Sequence, residues 1–257
     1  MPCSIAVIPA AGLGTRMRPL TYYVAKELLP IGSLPALDYI MAELAECEIK
    51  DVVLVTSRVK KPLFEFYIKE TQKTYGITCH TVLQENPMGL GHAVLCAKEV
   101  VGNQQFVVAL PDDILVKENA TKKLLEAADS VQGSSILSMR VDPEDVDKYG
   151  IIKTQKSSML VESFIEKPKK EEAPSNLAIV GRYCFSPLLW KKLESGLERK
   201  LSTNDPKELD LTVPMNGLIE SGHKILATQF NGIRHDTGKM EGYIHAFKEL
   251  SAASREQ

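Results

Sequence analysis

Three short, almost wholly apolar runs constrain the fold of this chain more than any other feature. They are Ser4-Ile5-Ala6-Val7-Ile8-Pro9, Asp51-Val52-Val53-Leu54-Val55-Thr56 and Phe106-Val107-Val108-Ala109-Leu110. Each reads as a strand buried on both faces, which is why polar residues do not alternate with apolar ones. Between them the periodicity changes. Leu37, Ile40, Met41 and Leu44 recur at helical spacing within 36–47, residues 63–73 read as helix, and 91–100 sets Ala93, Cys96 and Ala97 on one side. Residues 77–83 alternate enough to be a strand. This succession predicts an α/β fold with a Rossmann-like, mixed but mostly parallel sheet flanked by helices. Ligands of such sheets bind beyond the carboxyl ends of the strands. Ala10–Arg18, Gln84–His92 and Asp112–Asp113 all fall there.

From residue 134 the rhythm changes again. Residues 134–141, 150–154, 160–165 and 177–185 read as strands with little helix between them, which predicts a small antiparallel extension of the main sheet. Helices return at 187–195, 208–221 and 239–251, with a strand at 225–230. No repeat, low-complexity tract or linker interrupts the chain, so one continuous domain over 1–257 is expected.

Composition narrows the partners. The 257 residues carry 31 Lys and Arg against 33 Asp and Glu, a formal charge of −2. A chain that binds nucleic acid or an anionic membrane through a broad field would carry a basic excess. Neither partner is expected, and any phosphate must be held by a few placed cations. Five cysteines, with no C-x-x-C, suggest neither a disulfide framework nor a zinc ribbon. No apolar run approaches the roughly 20 residues of a spanning helix. Residues 1–11 lack the basic start of a secretory signal, so a cytoplasmic location is expected.

Several segments could carry chemistry. Ala10-Ala11-Gly12-Leu13-Gly14-Thr15-Arg16-Met17-Arg18-Pro19 combines glycines that admit an anion to the backbone with arginines that neutralise it. It is neither a dinucleotide fingerprint, since Met17 takes the third glycine position, nor a P-loop. A glycine turn with solvated arginines is an equal reading of these residues alone. Lys26 follows shortly after and by itself would be a surface group. Gln84 offers one acceptor and two donors, which suits a nucleobase edge, and Gly89 leaves room for a flat ring, although an ordinary loop explains both. Asp112 and Asp113 suit a hard cation such as Mg²⁺, with capping or a turn as the alternative. His235-Asp236-Thr237-Gly238 adds another carboxylate. His235 lacks a His or Cys at ligand spacing and reads as a structural hydrogen-bonder. Glu166-Lys167-Pro168 sets an anion beside a cation that could grip a sugar hydroxyl and a phosphate.

In order and spacing, these segments resemble the sugar-1-phosphate nucleotidylyltransferases, most of all their bacterial UTP–glucose-1-phosphate uridylyltransferase branch. The likeness rests on residues 6–30 (AVIPAAGLGTRMRPLTYYVAKELLP), 89–97 (GLGHAVLCA), 110–115 (LPDDIL), 149–150, 166–168, 173–183 (APSNLAIVGRY) and 235–238. It implies a nucleotide-binding half over about 1–135 and a sugar-phosphate-binding half over about 136–257. It also implies the small molecules UTP and glucose-1-phosphate as substrates, UDP-glucose and pyrophosphate as products, Mg²⁺ as cofactor and a homo-oligomer. Carried over, the Gly12–Arg16 loop, with Gly14 and Thr15, would cover the triphosphate. Ala11, Gly12, Gln84 and Gly89 would meet the base, and Arg16 and Lys26 the phosphates. Asp112 and Asp236 would bind Mg²⁺. Gly150, Glu166 and Val180 would hold the hexose, and Lys167 its phosphate. The sequence departs from the pattern at Ala25, where a proline is usual, at 206–213, and in the short stretch 70–77, where the branch carries a long insertion. Those departures keep dTTP or CTP open as the nucleotide. The alternatives of another class are a non-catalytic regulatory homologue and, on Gly-x-Gly alone, a nicotinamide oxidoreductase.

Overall fold

The computed structural model describes residues 3–253. In chain order the elements are β1 (Ile5–Pro9), β2 (Pro30–Ile31), β3 (Leu34–Pro35), α1 (Ala36–Glu46), β4 (Asp51–Thr56), α2 (Lys61–Tyr75), β5 (Thr78–Leu83), α3 (Leu90–Cys96), α4 (Lys98–Val101), β6 (Phe106–Ala109), β7 (Asp113–Val116), α5 (Ala120–Val131), β8 (Ser134–Arg140), β9 (Gly150–Thr154), β10 (Val161–Glu166), β11 (Leu177–Phe185), α6 (Leu188–Thr203), α7 (Thr212–Glu220), β12 (Ile225–Gln229), β13 (Ile233–Asp236) and α8 (Met240–Ala253). Short 3₁₀ turns fill much of 15–28.

A nine-stranded sheet runs β10-β9-β11-β6-β1-β4-β5, with β8 pairing both β11 and β12. Strands β6, β1, β4 and β5 are parallel, in the register Ile5↔Asp51 and Asp51↔Thr78. β11 joins antiparallel to β6 and β8, and β9 pairs antiparallel with β10. The parallel strands with covering helices and the antiparallel extension therefore share one sheet, as the sequence leads one to expect.

The apolar runs divide their side chains between two cores, as the two-residue period of a strand requires. Ile5, Val7, Val53, Val55, Phe106 and Val108 face α3, α6 and α7, where the Phe106 and Trp190 rings stack at 4.4 Å. Ala6, Ile8, Val52, Leu54, Val107 and Ala109 face α1, α2 and α8. α1 lays Leu37, Ile40, Met41 and Leu44 on the second core, all essentially without exposure. Pro62 in the first turn of α2 and the left-handed Gly76 after its last turn define that helix.

Five elements lie outside the sequence-based expectations: β2, β3, α5, β7 and β13. α5 is capped by the Asn119 side chain, which accepts from the Lys122 amide at 2.9 Å. β7 and β13 have only four residues each and exist by pairing with one another, Asp236 opposite Asp113. The helices around 91–100, 187–195 and 208–221 also differ in extent. The first divides into α3 and α4, α6 extends to Thr203, and α7 begins only at Thr212. Among the described residues, no helix is long and apolar enough to cross a membrane.

Candidate active site

Sheet order reverses between β6 and β1, since the chain builds β1, β4 and β5 to one side and then places β6 on the other. Loops leaving neighbouring strands diverge at such a point and open a crevice. Here it is a cleft of about 540 Å³, lined by Ala11, Gly12, Arg16 and Lys26 from the first loop, Gln84 and Gly89 beyond β5, and Asp112 and Asp113 beyond β6. The antiparallel extension supplies Gly150, Glu166 and Lys167 to the same cleft, and β13 supplies Arg234.

At its centre Lys26 Nζ meets Asp112 Oδ2 at 2.5 Å, the two side chains being 14% and 22% exposed. Burial opposes both charges. For Asp112, the charge and hydrogen bond of Lys26, with Arg16 behind them, prevail and hold the carboxyl below its ordinary range. For Lys26, the charges of Asp112 and Glu27 likewise outweigh burial, so its pKa is raised. Asp112 is fixed from behind, its carbonyl accepting from the Thr237 amide at 2.8 Å and the Thr237 hydroxyl at 3.0 Å. This junction brings Asp236 to it. A Cβ on Gly238 would stand 2.9 Å from Asp112 Oδ2, 3.0 Å from Asp236 Oδ1 and 3.5 Å from Arg16 Nη2. Two carboxylates and a guanidinium thus surround a space that glycine leaves open. Carboxylate oxygens are the donors that Mg²⁺ takes, so these residue types fit that ion; here Asp112 Oδ2 pairs with Lys26, and Asp236 Oδ1, beside the cleft rather than in its lining, accepts from the Gly238 amide at 3.0 Å.

The neighbouring Asp113 has a different task. Arg234 Nη2 reaches its Oδ1 at 2.6 Å, the Gly181 amide donates to its Oδ2 at 2.8 Å, and burial pushes its pKa up. Arg234 also lies over the Tyr149 ring at 5.4 Å. Asp113 therefore joins β7, β11 and β13, while Asp112 faces the cleft.

Gln84 is buried. Its amide nitrogen donates to Gly89 O at 3.1 Å and to His92 Nδ1 at 2.9 Å, which makes Nδ1 the unprotonated nitrogen of that ring. Burial lowers the His92 pKa in keeping with a neutral ring. Both donors are spent, and the Oε1 acceptor remains. Gly89 has φ 108°, and a Cβ there would lie 2.6 Å from Leu209 O. Glycine is required there by this close approach of the backbone of 208–209. Gly12 is the reverse case, with nothing within 4 Å of a Cβ and open cleft in front of it.

On the opposite wall, Lys167 has φ 44°, and its amide donates to Tyr149 O at 3.0 Å. Its ammonium stands 3.4 Å from Glu166 Oε1 and is 61% exposed. Glu166 Oε2 accepts from the Thr212 hydroxyl at 3.1 Å. Val180 differs from expectation. Its side chain is buried in the α5 core with Leu124, Ala128 and Phe230, because alternation along β11 turns Ile179, Gly181 and Tyr183 to the cleft instead. Only its backbone is left for a ligand. Gly14 and Thr15 lie beside the cleft rather than in its lining, Gly14 in a left-handed turn that opens the 3₁₀ segment Thr15–Met17.

Three buried ion pairs support these walls, and none was apparent from the sequence. Lys60 Nζ holds both Glu27 oxygens, at 2.9 and 3.0 Å, and donates to Ala10 O at 3.0 Å, pinning the start of the glycine loop to the segment that carries Lys26. Burial lowers the Lys60 pKa despite Glu27. Arg182, with no exposure, forks onto Glu43 at 2.8 and 3.2 Å and reaches Leu110 O at 3.2 Å. The third is Asp113–Arg234. An arginine inside the apolar run LAIVGRYCF was the available signal for the second. Glu27, Lys60 and Arg234 had no comparable signal, because their partners lie far away in sequence.

The nucleotidyl transferase family profile matches residues 5–253. The chain belongs to that family. Among its curated relatives, UTP–glucose-1-phosphate uridylyltransferase of Streptococcus pyogenes is 36% identical over 93% of this chain and 86% of its own. Among solved structures, a UDP-glucose pyrophosphorylase complexed with UDP-glucose superposes with a TM-score of 0.85 at 31% identity, covering 99% of this chain and all of the other. A UTP-bound enzyme of the same kind from Acinetobacter baumannii gives 0.81 at 28% identity, with 99% and 98% covered. Family membership excludes the reading as a nicotinamide oxidoreductase.

Proposed function

We propose that this protein is a Mg²⁺-dependent UTP–glucose-1-phosphate uridylyltransferase, joining UTP and glucose-1-phosphate to give UDP-glucose and pyrophosphate. The observation that carries the reading is a cleft lined by Arg16, Lys26 and Asp112 that extends to Glu166 and Lys167, with Asp236 meeting Asp112 beside it at Gly238. A regulatory homologue would have no use for that concentration of paired charge. The names of the relatives support the same substrates.

A phosphate oxygen of the sugar phosphate attacks the α-phosphorus of the nucleotide, and the bond to pyrophosphate breaks in line. The nucleophile is already an anion, so no general base is needed. The obstacle is repulsion between two anions, and catalysis consists of alignment and countercharge. Lys167 holds the attacking phosphate, while Glu166 and Gly150, with the Val180 backbone, hold the hexose. Arg16 and Lys26 take up charge that develops on the leaving pyrophosphate, with Gly12, Gly14 and Thr15 over the triphosphate. Asp112 and Asp236 would hold Mg²⁺, which when bound supplies further countercharge to the phosphates. Ala11, Gln84 and Gly89 receive the base. The unspent Gln84 Oε1 accepts from the N3–H of uracil or thymine, whereas cytosine presents an acceptor there, which supports UTP over CTP. The charge of −2 supports small molecules rather than nucleic acid as partners. A cytoplasmic location belongs to the same reading, as does a homo-oligomer, for which the exposed apolar residues Val59, Leu63 and Phe66 on and before α2 offer a contact face.

The test is pyrophosphate release with UTP, dTTP or CTP crossed with glucose-1-phosphate or galactose-1-phosphate, with and without Mg²⁺. The UTP–glucose-1-phosphate pair is expected to be fastest and to depend on the metal. Preference for another nucleotide, or no release with any pair, would refute the assignment.

A further inference from the structure

His235, the residue before Asp236, is 3% exposed. Its Nδ1 is buried without a hydrogen-bond partner, and its Nε2 stands 3.9 Å from Glu249 Oε2, beyond hydrogen-bond reach. The sequence suggested a structural hydrogen-bonder, and the fold gives it no such bond. The nitrogen turned toward Glu249 is Nε2, which has no hydrogen bond among the described residues either, so the buried ring presents an unpartnered nitrogen to α8. Helix α8 brings His245 and Glu249 to the same place, one helical turn apart, with His245 Nε2 3.3 Å from Glu249 Oε1. One ligand atom from each of the three residues lies within 4.8 Å of the others.

We propose that His235, His245 and Glu249 bind a divalent transition-metal ion, with Zn²⁺ as the fitting example, at a site distinct from the Asp112–Asp236 carboxylates. Two imidazoles and one carboxylate are a borderline donor set, suited to zinc, nickel or cobalt, whereas Mg²⁺ selects oxygen alone. A tetrahedral ion with bonds of about 2.0–2.1 Å sets its ligands roughly 3.4 Å apart, so the group must contract by on the order of 1 Å. The means of contraction are present. His245 and Glu249 are 66% and 48% exposed and free to turn, while His235 is held by burial. An i, i+4 His–Glu pair alone would be an ordinary surface contact. A buried third ligand from another element, its Nε2 without a hydrogen bond and turned toward the pair, distinguishes this one. The fourth position would face solvent and take water. Bound there, the ion ties β13 to α8 immediately before Asp236.

The test uses the full chain, stripped with EDTA and returned to excess Mg²⁺, titrated with Zn²⁺ by calorimetry and, in parallel, with Co²⁺ by visible absorption. His245→Ala and Glu249→Gln change exposed side chains outside the reaction cleft, so both should fold and keep basal activity with Mg²⁺. Wild type is expected to bind one Zn²⁺ more per chain than either variant. It is also expected to give the intense Co²⁺ bands of a tetrahedral site, which the variants lose. Bound metal should raise the melting temperature of wild type alone. Equal Zn²⁺ binding by wild type and variants, or only a weak octahedral Co²⁺ spectrum in wild type, would overturn the proposal.

Discussion

The two walls of the cleft hold their charges in opposite ways. On the wall formed by the first loops, Lys26 is bound to Asp112 at 2.5 Å, and behind it Lys60 and Glu27 form a buried pair that also grips Ala10. On the wall formed by the antiparallel extension, Lys167 stands mostly in solvent, 3.4 Å from its one ion-pair partner among the described residues, Glu166. The first wall is organised before any ligand arrives. The second presents a cation that a phosphate can recruit without breaking a strong contact. The difference shows that similar charges near one reacting centre can serve folding and chemistry in different proportions.

The comparison can be broken most forcefully behind the first wall. Lys60→Met strands the Glu27 carboxylate in the interior, and a loss of about 3–5 kcal/mol is expected in denaturant unfolding. Replacing both partners with apolar residues should recover most of it. If Lys60→Met unfolds at the wild-type midpoint, that wall is not organised by the pair.

Next come the two cleft lysines, measured for turnover and melting temperature together. Lys167→Ala should raise the barrier by ~2.7–4 kcal/mol, by analogy with removal of one oxyanion donor, and leave the melting temperature unchanged. Lys26→Met should lose at least as much turnover and also about 1–3 kcal/mol of stability, because Asp112 loses its partner. A melting temperature that falls equally in both variants would erase the distinction between the walls.

A smaller effect separates two glycines of the first wall. Gly89→Ala, with φ 108° and Leu209 O in its way, should cost about 1–3 kcal/mol of stability. Gly12→Ala, with nothing in reach of its Cβ, should fold as wild type and show its defect as a raised KM for the nucleotide. The smallest effect concerns pH. A carboxyl whose pKa is depressed by folding stabilises the native state above its unfolded value, and loses that contribution as pH falls through the lower folded value. For Asp112 this places the loss below its ordinary 3.8. Acid unfolding of Asp112→Asn should therefore be less steep than that of wild type in that range. Identical acid limbs would show that Lys26 does not hold the charge.

The sequence by itself determined the parallel strands, most of the helices, the switch to an antiparallel extension and the charged cleft residues Arg16, Lys26, Asp112, Glu166 and Lys167. Apolar runs and helical spacing are local signals, and glycines, carboxylates and cations at strand ends carry chemistry in their residue types. Residue type left Asp112 and Asp113 alike, with only the resemblance to choose between them; the tertiary structure shows why they differ, tying Asp113 to Arg234 and Gly181 through a strand pairing more than a hundred residues distant in sequence. It likewise turned Val180 into the core, because strand alternation settles which residues share a face but not which face the cleft will occupy. The reason is the same in both cases. A side chain's direction is fixed by packing partners that the neighbouring sequence does not contain, and β7 and β13 are too short to form without each other.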